Sequence, residues 1–241
     1  MSTSEQAFPE VPVQTALALL RQAAALSPAA FSSSFGAEDM VLLDLIRENA
    51  LPIGIFTLDT GRLHEETYAL MASVEQRYGR CFDTLYPDAT ALQQLVARNG
   101  INGFTASVDN RKACCAVRKV EPLARGLAGK RAWVTGMRAQ QSAARAQLAA
   151  RAHDESYGLE KFNPLHDWSE AQVWAYLRAR KVPYNVLHDR FYPSIGCAPC
   201  TRAVAVGEDI RSGRWWWESA GPRECGLHRP DAGAVPLKET A

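Results

Sequence analysis

The chain has 241 residues, 47% of them hydrophobic, and a formal net charge of +1. That is enough apolar material for one sizeable core, and so balanced a charge excludes the broad basic surface of a general nucleic-acid binder. Met1 to Gln6 lack the basic region of a signal peptide and the apolar run behind them is broken by Arg21, so the expectation is a cytoplasmic protein with no membrane partner, its 6 cysteines reduced, metal-bound or catalytic rather than paired in structural disulfides.

Helical periodicity runs over residues 13–26, and 29–35 reads as a strand ending in small polar residues. A helix over 37–48 and a β-branched apolar strand over 53–58 follow. Next come a helix over 64–78, a short strand over 82–86 in whose region a lone Cys81 reads as a buried apolar residue, and a helix over 90–99. Residues 113–124 are helical, with Pro122 expected to end or kink them. Residues 131–135 form a strand. Residues 169–180 form a helix capped by Asp167 or Ser169, with Pro183 just beyond its end. Strands alternating with helices predict an α/β fold with an open, mostly parallel sheet covered on both faces. After Tyr192 the pattern dissolves into Gly, Pro, Cys and Trp. The division expected is an α/β domain over 1–205 and an irregular, flexible C-terminal segment over 206–241, its tail from Arg229 disordered.

Three predicted strand ends carry polar loops. Ser32-Ser33-Ser34-Phe35-Gly36-Ala37-Glu38-Asp39 leads into a helix, where hydroxyls, a glycine and free amides suit an oxyanion. Leu58-Asp59-Thr60-Gly61-Arg62 ends the next strand. Thr135-Gly136-Met137-Arg138 opens a third loop, in which Arg138 and Arg145 can neutralise phosphate or sulfate oxygens through their planar forks. Open α/β sheets bind ligands at the C-terminal ends of their strands, and adjoining loops of this kind suit a nucleotide.

Cys114-Cys115 on a predicted helix and Cys197-Ala198-Pro199-Cys200 far along the chain supply four thiols in two pairs, enough for a four-coordinate zinc or an iron–sulfur cluster. Neighbouring cysteines chelate one zinc poorly but can reach two irons of a cubane, which favours 4Fe–4S. Cys225 stands apart, in Arg223-Glu224-Cys225-Gly226-Leu227-His228, a short polar segment that Pro222 and Gly226 keep out of regular structure. Cationic neighbours favour its thiolate and mark it as a candidate nucleophile.

Together these residues resemble the bacterial, iron–sulfur type of assimilatory adenylyl-sulfate (APS) reductase, within the APS/PAPS reductase family. The matching pieces are Ser34 to Asp39, Leu58 to Leu63, Cys114-Cys115 through Leu123, Thr135 to Arg138, Cys197 to Cys200, Gly207 to Glu218 and Glu224 to His228, in family order. The resemblance implies a Rossmann-like adenine-nucleotide fold related to the PP-loop pyrophosphatases. It implies one 4Fe–4S cluster on Cys114, Cys115, Cys197 and Cys200, and reduction of APS to sulfite and AMP in sulfate assimilation, with thioredoxin as reductant and Cys225 as nucleophile. It also implies a homo-oligomer. Ser34, Gly36, Glu38 and Asp39 would lie around the nucleotide, with Leu58, Thr60 and Gly136 near the adenosine and Lys119 between cluster and substrate. Arg211, Arg214 and His228 resemble the family residues that meet the phosphosulfate. Some cluster-bearing members also accept PAPS, so strict APS selectivity does not follow. The pyrophosphatase motif SGGxDS is altered here, Phe35 and Ala37 replacing small glycine positions, which counts against ATP hydrolysis. It counts equally against a sulfur transferase acting on tRNA.

Overall fold

The computed structural model describes residues 10–142, 145–218 and 227. Among these described residues there are seven α-helices: α1 (Glu10–Ala25), α2 (Ala37–Glu48), α3 (Glu65–Tyr78), α4 (Ala89–Asn99), α5 (Val108–Cys115), α6 (Glu121–Leu127) and α7 (Glu170–Ala179). Six strands are β1 (Ala29–Ser33), β2 (Ile53–Leu58), β3 (Asp83–Leu85), β4 (Ala132–Val134), β5 (Arg151–Asp154) and β6 (Leu159–Phe162). They form one sheet in the order β3-β2-β1-β4-β6-β5, parallel throughout except for β5, which runs antiparallel to β6.

Side chains alternate across a strand, so two apolar faces require apolar residues at successive positions. The central strands meet that demand. Phe31, Ile53, Ile55, Ala132 and Val134 join one core with α1, α2, α3 and α7. Ala30, Phe56 and Trp133 point the other way and pack with Leu123, Leu127 and Leu159, a second cluster that Leu227 also touches. Chain order runs outward from β1 through β2 to β3 on one side and from β4 to β6 on the other. The strand order therefore reverses between β1 and β4, which pair as Phe31↔Val134. Their C-terminal ends open side by side, at the place where doubly wound sheets bind ligands.

Several expectations are corrected. Pro122 does not end the helix. It sits buried in the first turn of α6, where its missing N–H costs nothing, and the break falls before it in a single wide turn, Ala116–Val120. Cys81, expected to be buried, is half-buried and stands just before β3. The β5–β6 hairpin was not foreseen. β5 is largely exposed, and β6 reads Leu-Glu-Lys-Phe without a β-branched residue. Its Lys161 is buried against the Trp133 ring, 4.3 Å from the centroid, and paired with Asp154 at 3.2 Å. Ser169, not Asp167, caps α7: its side chain accepts from Gln172 N and its own N–H donates to the Gln172 side chain. Among the described residues no helix is long and apolar enough to cross a membrane.

Candidate active site

The loop from β1 into α2 is folded by its own polar groups. Asp39, buried in the first turn of α2, accepts from Ser34 N at 2.6 Å and Ser34 Oγ at 2.7 Å. Phe35 adopts φ +58, a conformation glycine takes freely, and its N–H donates to Ser33 Oγ at 3.2 Å. The phenyl ring is buried edge-to-face against Phe82, so a bulky residue holds the backbone shape of a glycine because the core retains its side chain. Across the switch point, a Cβ on Gly136 would overlap the Asp39 carboxylate, so only glycine allows the two loops this approach. Arg138 is buried and ion-paired to Glu38 at 2.8 Å, and it also donates to the Trp168 carbonyl at 3.2 Å.

Burial pushes the Asp39 carboxyl up to about 6, against the lowering effect of the Ser34 hydrogen bonds; the neighbouring Glu38 charge adds to the rise. The folded protein then holds a proton that the unfolded chain has released. Stability from this group is complete below about pH 4 and is lost as pH rises through about 6. A rise of about 2 units corresponds to about 3 kcal/mol. Asn keeps an acceptor for Ser34 and does not titrate. Asp39→Asn is therefore expected to gain up to about 3 kcal/mol relative to wild type between pH 4 and pH 7, read as the difference in urea unfolding free energies at the two pH values.

A cavity of about 190 Å³ lies at the switch point. Ser34, Leu58, Thr60, Lys119, Arg211 and Arg214, all foreseen, line it. Its floor was not foreseen: Trp133, whose indole N–H donates to Ser32 Oγ at 2.8 Å, and Leu123 of α6. A single tryptophan in a three-residue strand carries no sequence signal of facing a ligand. A neighbouring cavity of about 120 Å³ is lined by Gly36, Glu38 and Arg138, and it shares Arg145, Ile195 and Arg211 with the first. Asp39 and Gly136 line neither cavity and support the loops from below.

A third cavity adjoins the first. Cys114, Cys115, Cys197 and Cys200 all line it, so the fold brings together two pairs more than 80 residues apart in sequence. α5 delivers Cys114 and Cys115 at its C-terminal end, and the wide turn that follows carries Arg118 and Lys119. Cys197 and Cys200 flank a short turn anchored by Ala198 N donating to Arg62 O at 2.8 Å. The Thr60 hydroxyl lies 3.3 Å from Cys197 Sγ. Burial raises the Cys197 thiol, but Lys119, the Thr60 hydroxyl, Arg214 and Arg118 outweigh it and hold the group below the ordinary thiol range. Burial and then the Cys197 charge push Cys200 up to about 12; burial also raises Cys114. Among the described residues no three His, Cys, Asp or Glu side chains stand close enough to hold a single metal ion. The four thiols border one shared space. Lys119, Arg214 and Trp215 line both this cavity and the nucleotide-sized one.

Cys225 and His228 lie outside the described residues, as do Arg223 and the tail from Arg229. Leu227, between Cys225 and His228 in sequence, lines the large cavity and packs on the second apolar cluster.

Residues 28–203 match the family model described as the phosphoadenosine phosphosulfate reductase domain. The chain belongs to the phosphoadenosine phosphosulfate reductase family. Relatives in that family include the adenosine 5'-phosphosulfate reductase of Allochromatium vinosum, 59% identical over 199 residues that cover 83% of this chain and 78% of that protein. The enzyme of the same name from Burkholderia cepacia is 53% identical over 211 residues, covering 88% and 84%. The crystal structure of phosphoadenylyl-sulfate reductase from Candida auris, a phosphate complex, aligns with a TM-score of 0.67 at 28% identity, covering 85% of this chain and 99% of that one. This member of the reductase family is thus an enzyme, with the family's α/β architecture.

Proposed function

We propose that the protein reduces adenosine 5'-phosphosulfate to sulfite and AMP through a sulfonated Cys225, with thioredoxin as the external dithiol. The observation that carries this reading is the shared wall. Lys119 and Arg214 face a cavity large enough for part of a nucleotide on one side and four cysteines on the other. Leu227, two positions after Cys225 in sequence, lies on the same cavity. The relatives named above support APS as the substrate.

In the first step the Cys225 thiolate attacks the sulfonate sulfur. An S–S bond forms, the S–O bond to the phosphate breaks, and AMP leaves with the electron pair. Lys119, Arg211 and Arg214 stabilise charge on the transferring group and on the departing phosphate. In the second step a dithiol attacks Cys225 Sγ, sulfite leaves with the electron pair of the S–S bond, and the dithiol's second sulfur resolves the mixed disulfide. The dithiol is oxidised and APS is reduced by two electrons. His228 is assigned to the phosphosulfate by family resemblance.

The donor set fits one 4Fe–4S cluster better than zinc. Four thiols in two pairs border one space, adjacent cysteines chelate one zinc poorly, and Arg62, Arg118, Lys119 and Arg214 around that space offset the charge of thiolate ligands. Held by Cys114, Cys115, Cys197 and Cys200, such a group would supply fixed charge beside Lys119 and would tie the 197–200 turn to α5.

The family model and the Candida auris neighbour carry the name of the 3'-phosphorylated nucleotide, so PAPS is the second reading. The test is turnover of each nucleotide at low concentration by anaerobically purified, iron-loaded protein with thioredoxin. Faster sulfite release from APS is expected. Preference for PAPS replaces the substrate, and no sulfite from either nucleotide removes the assignment.

A further inference from the structure

Trp215 adopts φ +43, a left-handed conformation that is an outlier for a bulky side chain, and its indole is buried. Two guanidinium groups lie over that ring: Arg111 Cζ at 4.6 Å and Arg214 Cζ at 4.7 Å from the centroid. Arg111 is held by Glu218 through two bonds of 2.8 and 3.0 Å. Arg214 is different. It is only 7% exposed, reaches Ser194 Oγ and Ile195 O at a long 3.4 Å, and among the described residues its Nε has no hydrogen-bond partner and no carboxylate pairs with it. A desolvated cation held this weakly by hydrogen bonds depends on the indole face, where cation–π attraction is strongest.

The backbone has a matching arrangement. Trp215 N donates to Cys200 O at 3.2 Å, and Arg214 forms a bridge with Thr201. A Cβ at Gly196 would fall on the Arg214 guanidinium, so this glycine makes room for it. The left-handed turn at Trp215 brings the ring back under the side chain of its own neighbour.

We propose that Trp215 is a positioning residue: in its strained conformation it holds the Arg214 guanidinium on the wall shared by the two cavities, ready for an oxyanion, while the Arg111–Glu218 pair braces the ring. This rests on the functional reading above. Arg214 is buried beside the Cys197 thiol with an incomplete set of hydrogen-bond partners, and on the cavity side that leaves it donors for an anionic substrate group.

The test is a double-mutant cycle in the full-length, iron-loaded chain. Trp215→Leu is expected to lower kcat for sulfite release about 100-fold, the scale of a misplaced charge, with a smaller change in KM. In an Arg214→Ala background the same substitution is expected to change nothing further. Equal loss in both backgrounds would show a merely structural ring and overturn the proposal. Should Trp215→Leu lose the iron–sulfur absorbance, the cycle is run with Trp215→Phe, whose weaker ring should give a smaller loss that likewise vanishes without Arg214. A wild-type protein that releases no sulfite sinks the functional reading alone. The cycle is then read in AMP affinity by calorimetry, where additivity again overturns the role given to Trp215.

Discussion

Cys225→Ser is expected to release no sulfite from APS while binding the nucleotide as the wild type does. A thiol with an ordinary pKa of about 8.5 is a few per cent thiolate at pH 7, and cationic neighbours raise that fraction; a serine hydroxyl offers no comparable anion. The second step fails as well, because a dithiol can displace sulfite only from a sulfur. Binding should survive because the cavity is walled by Ser34, Leu58, Thr60, Lys119 and Arg214, on elements that hold their places independently of residue 225. Iron content should be unchanged, since the four-thiol cavity is formed without Cys225. The check pairs a sulfite assay with intact-mass measurement of wild type mixed with APS and no reductant. One added SO₃ on the peptide carrying Cys225 is the expected product, and the variant should carry none. Sulfite release by Cys225→Ser at a rate near wild type would refute the covalent route.

Much of this arrangement was legible in the sequence, for identifiable reasons. α2 and β2 were bounded correctly because Ala37–Glu48 and Ile53–Leu58 combine strong periodicity or β-branching with clear polar ends. The strand-end loops were legible because a parallel sheet puts every such loop on one edge, so naming the strands nearly names the site. The cysteines were legible as a set because two closely spaced pairs of thiols are a pattern that metal and cluster ligands share. What was hidden depends on tertiary neighbours. The β5–β6 hairpin is polar where an edge meets water, and its buried Lys161 is tolerated only through Trp133 and Asp154. Phe35 holds a glycine conformation because Phe82 packs against its ring. Arg138 reads as an anion ligand in a strand-end loop, yet its guanidinium is engaged by Glu38 and the Trp168 carbonyl, partners 100 and 30 residues away. Nothing in the run Trp215-Trp216-Trp217 sets Trp215 apart in sequence; its burial, its backbone angle and its two arginines separate it from the exposed Trp216.

Asp44→Ala is expected to cost about 3–5 kcal/mol of stability, a large share of the roughly 5–15 kcal/mol available to a domain. Asp44 is wholly buried in α2 and accepts from Tyr78 Oη at 2.7 Å, Tyr176 Oη at 2.6 Å and Arg180 Nε at 2.7 Å, with Arg77 Nη2 3.5 Å away. One carboxylate thus ties α2 to α3, α7 and the residue that caps α7. Alanine leaves two phenols facing a void without their acceptor and Arg180 with Glu48 alone. Burial, and in the wild type the hydrogen bond to Asp44, raise the pKa of both tyrosines above the ordinary phenol range, so both enter the network as protonated donors. For a chain of this size the loss should lower Tm by roughly 6–20 °C in a thermal melt. Asp44→Asn, which keeps one acceptor, should fall between the two. A Tm for Asp44→Ala equal to wild type would mean that the network contributes nothing. The consequence for the site follows from helix geometry. α2 begins at the switch point with Gly36 to Asp39 and is fixed two turns later by Asp44, so a chain that loses this anchor loses the base from which the β1–α2 loop is presented. Near its lowered Tm the variant should therefore lose nucleotide affinity before its far-ultraviolet signal, since the loop depends on the seating of one helix and the signal on all of them.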